Sequence, residues 1–158
     1  MERSRKIWKV LRWLLLIVAG LFVIAQFYRP AKMNPTVEPS LALEAHMQLD
    51  PKVTAIFNRS CIDCHSNKTR WPWYSNVAPV SWFVIDHVDH GRSHMNFSEW
   101  GSYDAKRKSQ LLNQSCVEVK AGAMPLSSYT PLHPGSKLTM QDVSVICEWA
   151  ANENLRLP

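Results

Sequence analysis

The sequence predicts an all-α fold: a small helical domain preceded by a single N-terminal transmembrane helix. Three observations predict it. One uninterrupted apolar run follows a cluster of basic residues near the N-terminus. Apolar residues then recur at helical spacing in four later segments, several of them opened by capping residues. No stretch of useful length alternates apolar and polar residues as a half-buried strand would.

The first element is the apolar run Trp13 to Ala25, preceded by Arg3, Arg5, Lys6, Lys9 and Arg12. Basic residues ahead of such a run keep the N-terminus in the cytoplasm and send the rest outward. Trp8, Trp13, Phe27 and Tyr28 stand where interfacial aromatic belts form. Val23-Ile24-Ala25 also resembles a signal-peptidase site, so residues 1–29 are read as a membrane anchor, with a cleaved signal sequence as the alternative. Residues 30–48, with Pro30, Pro35 and Pro39, suit an extended linker or stalk. Within them Leu41 to Met47 is a weakly patterned short helix, and His46 is a surface residue.

The remaining 49–158 is one domain. Asp50 is an N-cap with Pro51 at the first helical position, and Val53, Ile56 and Phe57 give the buried stripe of a helix that runs into Cys61. A loop rich in aromatics, Trp71-Pro72-Trp73-Tyr74, follows. The next helix is expected from Pro79 to a stop at Gly91, with Val80, Phe83, Val84, His87 and Val88 on one face. Asn96 to Trp100 reads as a capped turn. Asp104 to Ala121 reads as a helix with Leu112, Cys116 and Val119 inward and Gly122 as its end. The last helix is the best signalled: Thr139 and Asp142 form a capping box, Leu138 and Val143 a hydrophobic staple, and Val143, Ile146, Cys147 and Ala150 the buried stripe with Trp149 beside it.

The formal charge of +5 is not a nucleic-acid signal. Seven Lys/Arg and one acid lie at or before Lys32, leaving 11 basic and 12 acidic residues in the rest. The domain is near neutral and carries no basic stripe, so no nucleic-acid partner is expected.

Chemistry concentrates at Cys61-Ile62-Asp63-Cys64-His65. C-x-x-C-H is the spacing of a covalent haem attachment site: two thiols on one side of a tight turn bond the porphyrin, and the next imidazole takes an axial position on iron. The competing readings are a zinc knuckle and a redox dithiol. A structural zinc site wants a second close ligand pair, which Cys116 and Cys147 do not supply, and a redox dithiol is expected in a β/α unit. Cys61 and Cys64 are therefore read as haem thioethers and His65 as the proximal iron ligand.

For the distal position Met124 is favoured, because it sits in a Gly/Pro-bounded loop between helices; His94, Met95, His133 and His87 remain open, as does a purely packing role for Met124. Arg92 suits a propionate, since a guanidinium binds a carboxylate in bidentate fashion. Trp73 and Tyr74 are candidates for a haem wall or a propionate hydrogen bond. Cys116 and Cys147 are either two buried thiols or, in an exported domain, a disulfide between the last two helices.

The order of helix, C-x-x-C-H, Pro-containing loop, Met-Pro and final aromatic-bearing helix resembles class I monohaem c-type cytochromes. More closely, Ser60 to Ser66, Trp71 to Tyr74, Asn96 to Trp100, Met124-Pro125-Leu126 and Tyr129 to His133 resemble the bacterial membrane-anchored haem-binding domain family. The resemblance implies a cytochrome c-like helical domain around one haem c, with His65 proximal and Met124 at the matching distal position. It implies a bacterial inner-membrane protein whose C-terminal domain is periplasmic. Single-electron transfer with redox partner proteins is the expected function, and no catalytic residues are assigned. A haem-based sensor or gas-binding module with an exchangeable distal ligand is the alternative, and a peroxidase with His87 and Arg92 in distal roles is a lesser one.

Overall fold

A computed structural model describes residues 2–158. They form six α-helices and four short 3-10 turns, with no strand among the described residues. The α-helices are α1 (Glu2–Ala25), α2 (Leu43–His46), α3 (Pro51–Ser60), α4 (Val80–His94), α5 (Ala105–Lys120) and α6 (Met140–Arg156). The chain divides into two compact units. One holds the N-terminal residues through Met33 together with Trp71–His87; the other holds Asn34–Arg70 and Val88–Pro158. The first residues of α4, through His87, belong to the first unit and the rest of that helix to the second.

In the first unit α1 has a mean hydropathy of 2.2 over its most apolar window and none of that window is buried. At about 1.5 Å per residue it is long enough to cross a hydrocarbon core about 30 Å thick. Its end is joined to the 71–87 segment. The Gln26 side chain donates to Ala78 O at 3.1 Å and accepts from Ala78 N at 2.9 Å, and Trp82 Nε1 donates to Tyr28 O at 2.8 Å.

The second unit has one hydrophobic core. Val53, Ile56 and Phe57 of α3, Leu111, Leu112 and Val119 of α5, and Ile146, Trp149 and Ala150 of α6 are all buried in it. α5 packs along α6, and Cys116 and Cys147 are joined there as a disulfide. Of the two readings of that pair, the disulfide is the one found. The capping box on α6 is present: Asp142 N donates to Thr139 Oγ1 at 3.1 Å, and Thr139 N donates to Asp142 Oδ2 at 2.9 Å. Asp50 caps α3 by accepting from Lys52 N and Val53 N. Gly122 closes α5 with φ +68, the left-handed conformation that favours glycine.

Two expectations are corrected. Gly91 does not stop α4, which continues to His94. The glycine is there because another backbone comes close: a Cβ on Gly91 would lie 2.6 Å from Cys64 O. Second, the stalk is not free over 30–48. Leu43 and Met47 are buried in the core, and Asn34 Nδ2 donates to Thr69 O at 2.9 Å. Single anchoring side chains leave no periodic signal, which is why the segment read as a linker. The capped turn expected at Asn96 is present, with Ser98 N donating to Asn96 Oδ1 at 3.0 Å, and it carries the core residues Phe97 and Trp100, 7% and 1% exposed.

Candidate functional site

α3 delivers the two cysteines. Its last turn is continued by Cys61 N and Ile62 N, which both donate to Phe57 O at 3.0 Å. The chain then tightens: Cys64 N donates to Cys61 O at 3.2 Å and His65 N to the same carbonyl at 3.0 Å. This turn carries both cysteines and His65 within one hydrogen-bonded loop of backbone closed on Cys61 O. Both thiols are free and half-buried. Burial is the main cause that pushes the Cys61 thiol up to about 12, with Cys64 adding to it; burial and then Asp63 push Cys64 up to about 11. Both sulfurs are therefore protonated thiols at neutral pH.

His65 is held by its back edge. Its Nδ1 lies 3.0 Å from the carbonyl of Met95, just past α4. A carbonyl only accepts, so Nδ1 carries the hydrogen and Nε2 keeps its lone pair. Burial lowers the His65 pKa and outweighs the backbone bonds to Met95 and Gly91, so the neutral ring is favoured. A neutral imidazole whose Nδ1 is fixed by a carbonyl is the form that ligates a metal through its other nitrogen. The backbone on either side is also held: Phe97 N donates to His65 O at 2.8 Å.

Asp63, between the cysteines, is 7% exposed and fully satisfied. Arg70 donates to it through Nε at 3.0 Å and a terminal nitrogen at 3.1 Å, the Arg70 backbone N–H adds a bond at 3.1 Å, and the Tyr129 hydroxyl donates at 2.8 Å. Nothing in the sequence pattern pointed to Arg70 or to Tyr129 as Asp63's partners; the one available signal was a carboxylate inside the motif.

Tyr129 belongs to the loop that carries Met124, and two further bonds tie that loop to the end of α3. Arg59 Nε donates to Gly135 O at 3.0 Å, and Ser60 Oγ donates to Ser136 O at 2.8 Å. Met124 is half-buried against the core, and its peptide bond to Pro125 is cis. His133 stacks on Tyr129 with ring centroids 3.6 Å apart. Met95 is also half-buried against the core; its carbonyl serves His65 and its sulfur accepts from Ser115 Oγ at 3.7 Å. His94 is exposed.

Arg92 donates to Ser66 O at 2.8 Å, to Thr69 Oγ1 at 2.8 Å and to Asn34 Oδ1 at 2.9 Å. It thereby fixes the loop that follows the motif. Trp73 and Tyr74 lie in the first unit, where they pair edge to face at 5.8 Å. His87, also there, rests on Phe83 with its Nδ1 2.8 Å from Phe83 O.

The donor set suits a haem. Two reduced thiols on one turn and a neutral imidazole beside them match the attachment chemistry, and no group of three or more His, Cys, Asp or Glu side chains among the described residues makes a separate metal site. The Trp100 Nε1–H, buried beside Phe97, has no hydrogen-bond partner among the described residues and is a donor an added group would satisfy.

No curated protein and no solved structure matches the chain. The model of one family, described as a haem-binding domain, matches residues 20–152, which takes in the thiols, the imidazole and the tethered loop. With most of its length matched, and with a donor set suited to the cofactor in that family's name, the chain belongs to the haem-binding domain family.

Proposed function

We propose that this haem-binding protein is a membrane-tethered c-type cytochrome that passes single electrons between redox partner proteins at the periplasmic face of a bacterial inner membrane. The observation that carries the reading is His65: Nδ1 bonded to the Met95 carbonyl, on the same turn as two reduced thiols. Each thiol adds across a vinyl group, the sulfur bonding one carbon and the hydrogen going to the other, so attachment needs no oxidant. When bound, haem supplies the one-electron iron couple.

The residues of this chain hold that couple in place. Cys61 and Cys64 fix it covalently, and Met95 keeps the imidazole in one tautomer and orientation. Met124 is the distal ligand in this reading. Its loop is tied to residues 59–63 by three side-chain bonds, which limits how far the thioether can stray. Met95 is the weaker candidate, because its carbonyl is engaged at His65 Nδ1 and its sulfur accepts from Ser115 Oγ. A six-coordinate iron changes little on oxidation, which suits electron transfer. Arg3, Arg5, Lys6, Lys9 and Arg12 ahead of the apolar helix support an outward-facing domain.

The test is spectroscopic. Matured protein should keep its pigment through acid-acetone extraction, show a weak sulfur-to-iron band at the red edge of the oxidised spectrum, and take up no carbon monoxide when reduced. Met124→Ala should lose the band and bind carbon monoxide. Rapid carbon monoxide binding by the unsubstituted protein would replace electron transfer with ligand sensing.

A further inference from the structure

The residues after α1 do not simply lead away from the membrane; they are clasped to a second segment of chain. Gln26, the first residue beyond the helix, makes a two-point clip with the backbone of Ala78 at 2.9 and 3.1 Å. Two residues further, the Tyr28 carbonyl accepts from Trp82 Nε1 at 2.8 Å, and the two rings meet edge to face at 5.6 Å. Lys32 bonds to Asn76. These contacts lie within one compact unit, so residues 73–83 are held at the height where the apolar helix ends.

That height is the lipid–water interface if α1 spans the bilayer, and the side chains shown there fit it. Trp73 is 77% exposed and Phe83 50%, alongside Phe27 at 84% and Tyr28 at 68%. Tryptophan and tyrosine are enriched at headgroup level, where the ring meets acyl chains and its N–H or O–H meets water, and the neighbouring phenyl rings of Phe27 and Phe83 add apolar area on the acyl side. Lys32 and Arg29 stand beside them for anionic headgroups.

We infer that Trp73 and Phe83 form a second membrane contact, seating the 73–83 segment in the headgroup layer beside the anchor. The surface rests on the reading of α1 as an uncleaved membrane anchor. It is continuous with the face that the end of α1 presents to lipid, and this continuity commits the occupant to the bilayer. An aromatic segment bonded directly to the anchor then makes the exit from the membrane a stiff platform.

In the full, haem-loaded chain Cys61 and Cys64 are thioethers and Cys116 is paired with Cys147, so an added cysteine is the single free thiol. Trp73→Cys, Phe83→Cys, Phe27→Cys and Leu155→Cys are each nitroxide-labelled in nanodiscs of mixed neutral and anionic phospholipid. Collision of each label with oxygen and with a nickel chelate is then measured. Leu155, 85% exposed on α6, is the aqueous reference. The expected result is a several-fold loss of nickel collision at positions 73 and 83 relative to 155, with oxygen collision retained, as at position 27. Aqueous behaviour at 73 and 83 with position 27 immersed overturns the inference and leaves the anchor standing. Aqueous behaviour at 27 as well overturns both. A label at 73 shielded from both reagents also overturns it, because that is the signature of a wall packed against the cofactor.

Discussion

Removing the Tyr129 hydroxyl isolates the bond that joins the Met124 loop to the attachment turn. Tyr129→Phe deletes one hydrogen bond of 2.8 Å to a carboxylate that is 7% exposed. A hydrogen bond to a charged group contributes about 1.5–3 kcal/mol. Asp63 keeps its three donors from Arg70, so the loss belongs at the lower end, about 1.5 kcal/mol. Asp63→Asn removes the charge from all four bonds and costs more, about 3 kcal/mol, held below the range for a fully buried pair because the Arg70 side chain is 65% exposed. If the two residues act through one bond, the double variant falls short of the sum by about 1 kcal/mol or more. Urea unfolding of the haem-loaded chain in detergent, followed by circular dichroism, measures all four corners of the cycle. Additivity within about 0.5 kcal/mol would refute the coupling.

The same bond has a signature in pH. Burial, and then the bond to Asp63, push the Tyr129 ionisation above its ordinary range. An unfolded tyrosine releases its proton near pH ~10, before the folded one does. The stability contributed by Tyr129 is therefore complete below about pH 10 and is lost as pH rises toward the folded value, so the gap between the unsubstituted protein and Tyr129→Phe should narrow on the alkaline side.

Gly91→Ala sets two effects against each other. Alanine favours a helix interior by about 1 kcal/mol, yet its Cβ would lie 2.6 Å from a backbone oxygen that cannot swing aside. Overpacking of this kind costs about 1–3 kcal/mol, so stability should fall, and the yield of attached haem by pyridine haemochrome should fall with it. Replacing both Cys116 and Cys147 with serine opens a link across 31 positions and should cost about 4 kcal/mol on the chain-entropy account, read from the urea midpoint. For Asp142, burial acts upward, but the bonds from Arg59 and Thr139 outweigh it and hold the carboxyl below its usual range. Asp142→Asn should cost about 1 kcal/mol at neutral pH, and the difference should fade as pH falls below ~4 through the folded value.

Elements with local grammar were legible in the sequence. The Asp50-Pro51 start of α3 and the Thr139 and Asp142 box of α6 each lie within a few residues, and each is present as read. What could not be read was chemistry made by contact at a distance. In sequence Gly91 looks like a stop signal because glycine ends helices far more often than it admits another backbone, and only the proximity of Cys64 distinguishes the two. Asn34 and Thr36 reach residues 69 and 67 through single polar bonds that leave no periodicity. The carbonyl that orients His65 comes from Met95, and backbone carbonyls carry no residue identity to recognise. Phe97 and Trp100 fell in a segment too short for a stripe, although they complete the core that faces the imidazole.

The chain has four cysteines that must reach opposite fates. One pair is oxidised to each other where α5 and α6 run side by side, locking the C-terminal third of the protein. The other pair, Cys61 and Cys64, is reduced although its members are only three positions apart. Thiol–disulfide exchange proceeds through the thiolate, and burial of the Cys61 and Cys64 sulfurs keeps that form scarce. Packing thus treats the two pairs differently: the α5–α6 contact holds one pair within bonding distance, and burial on the turn after α3 keeps the other pair unreactive toward oxidants.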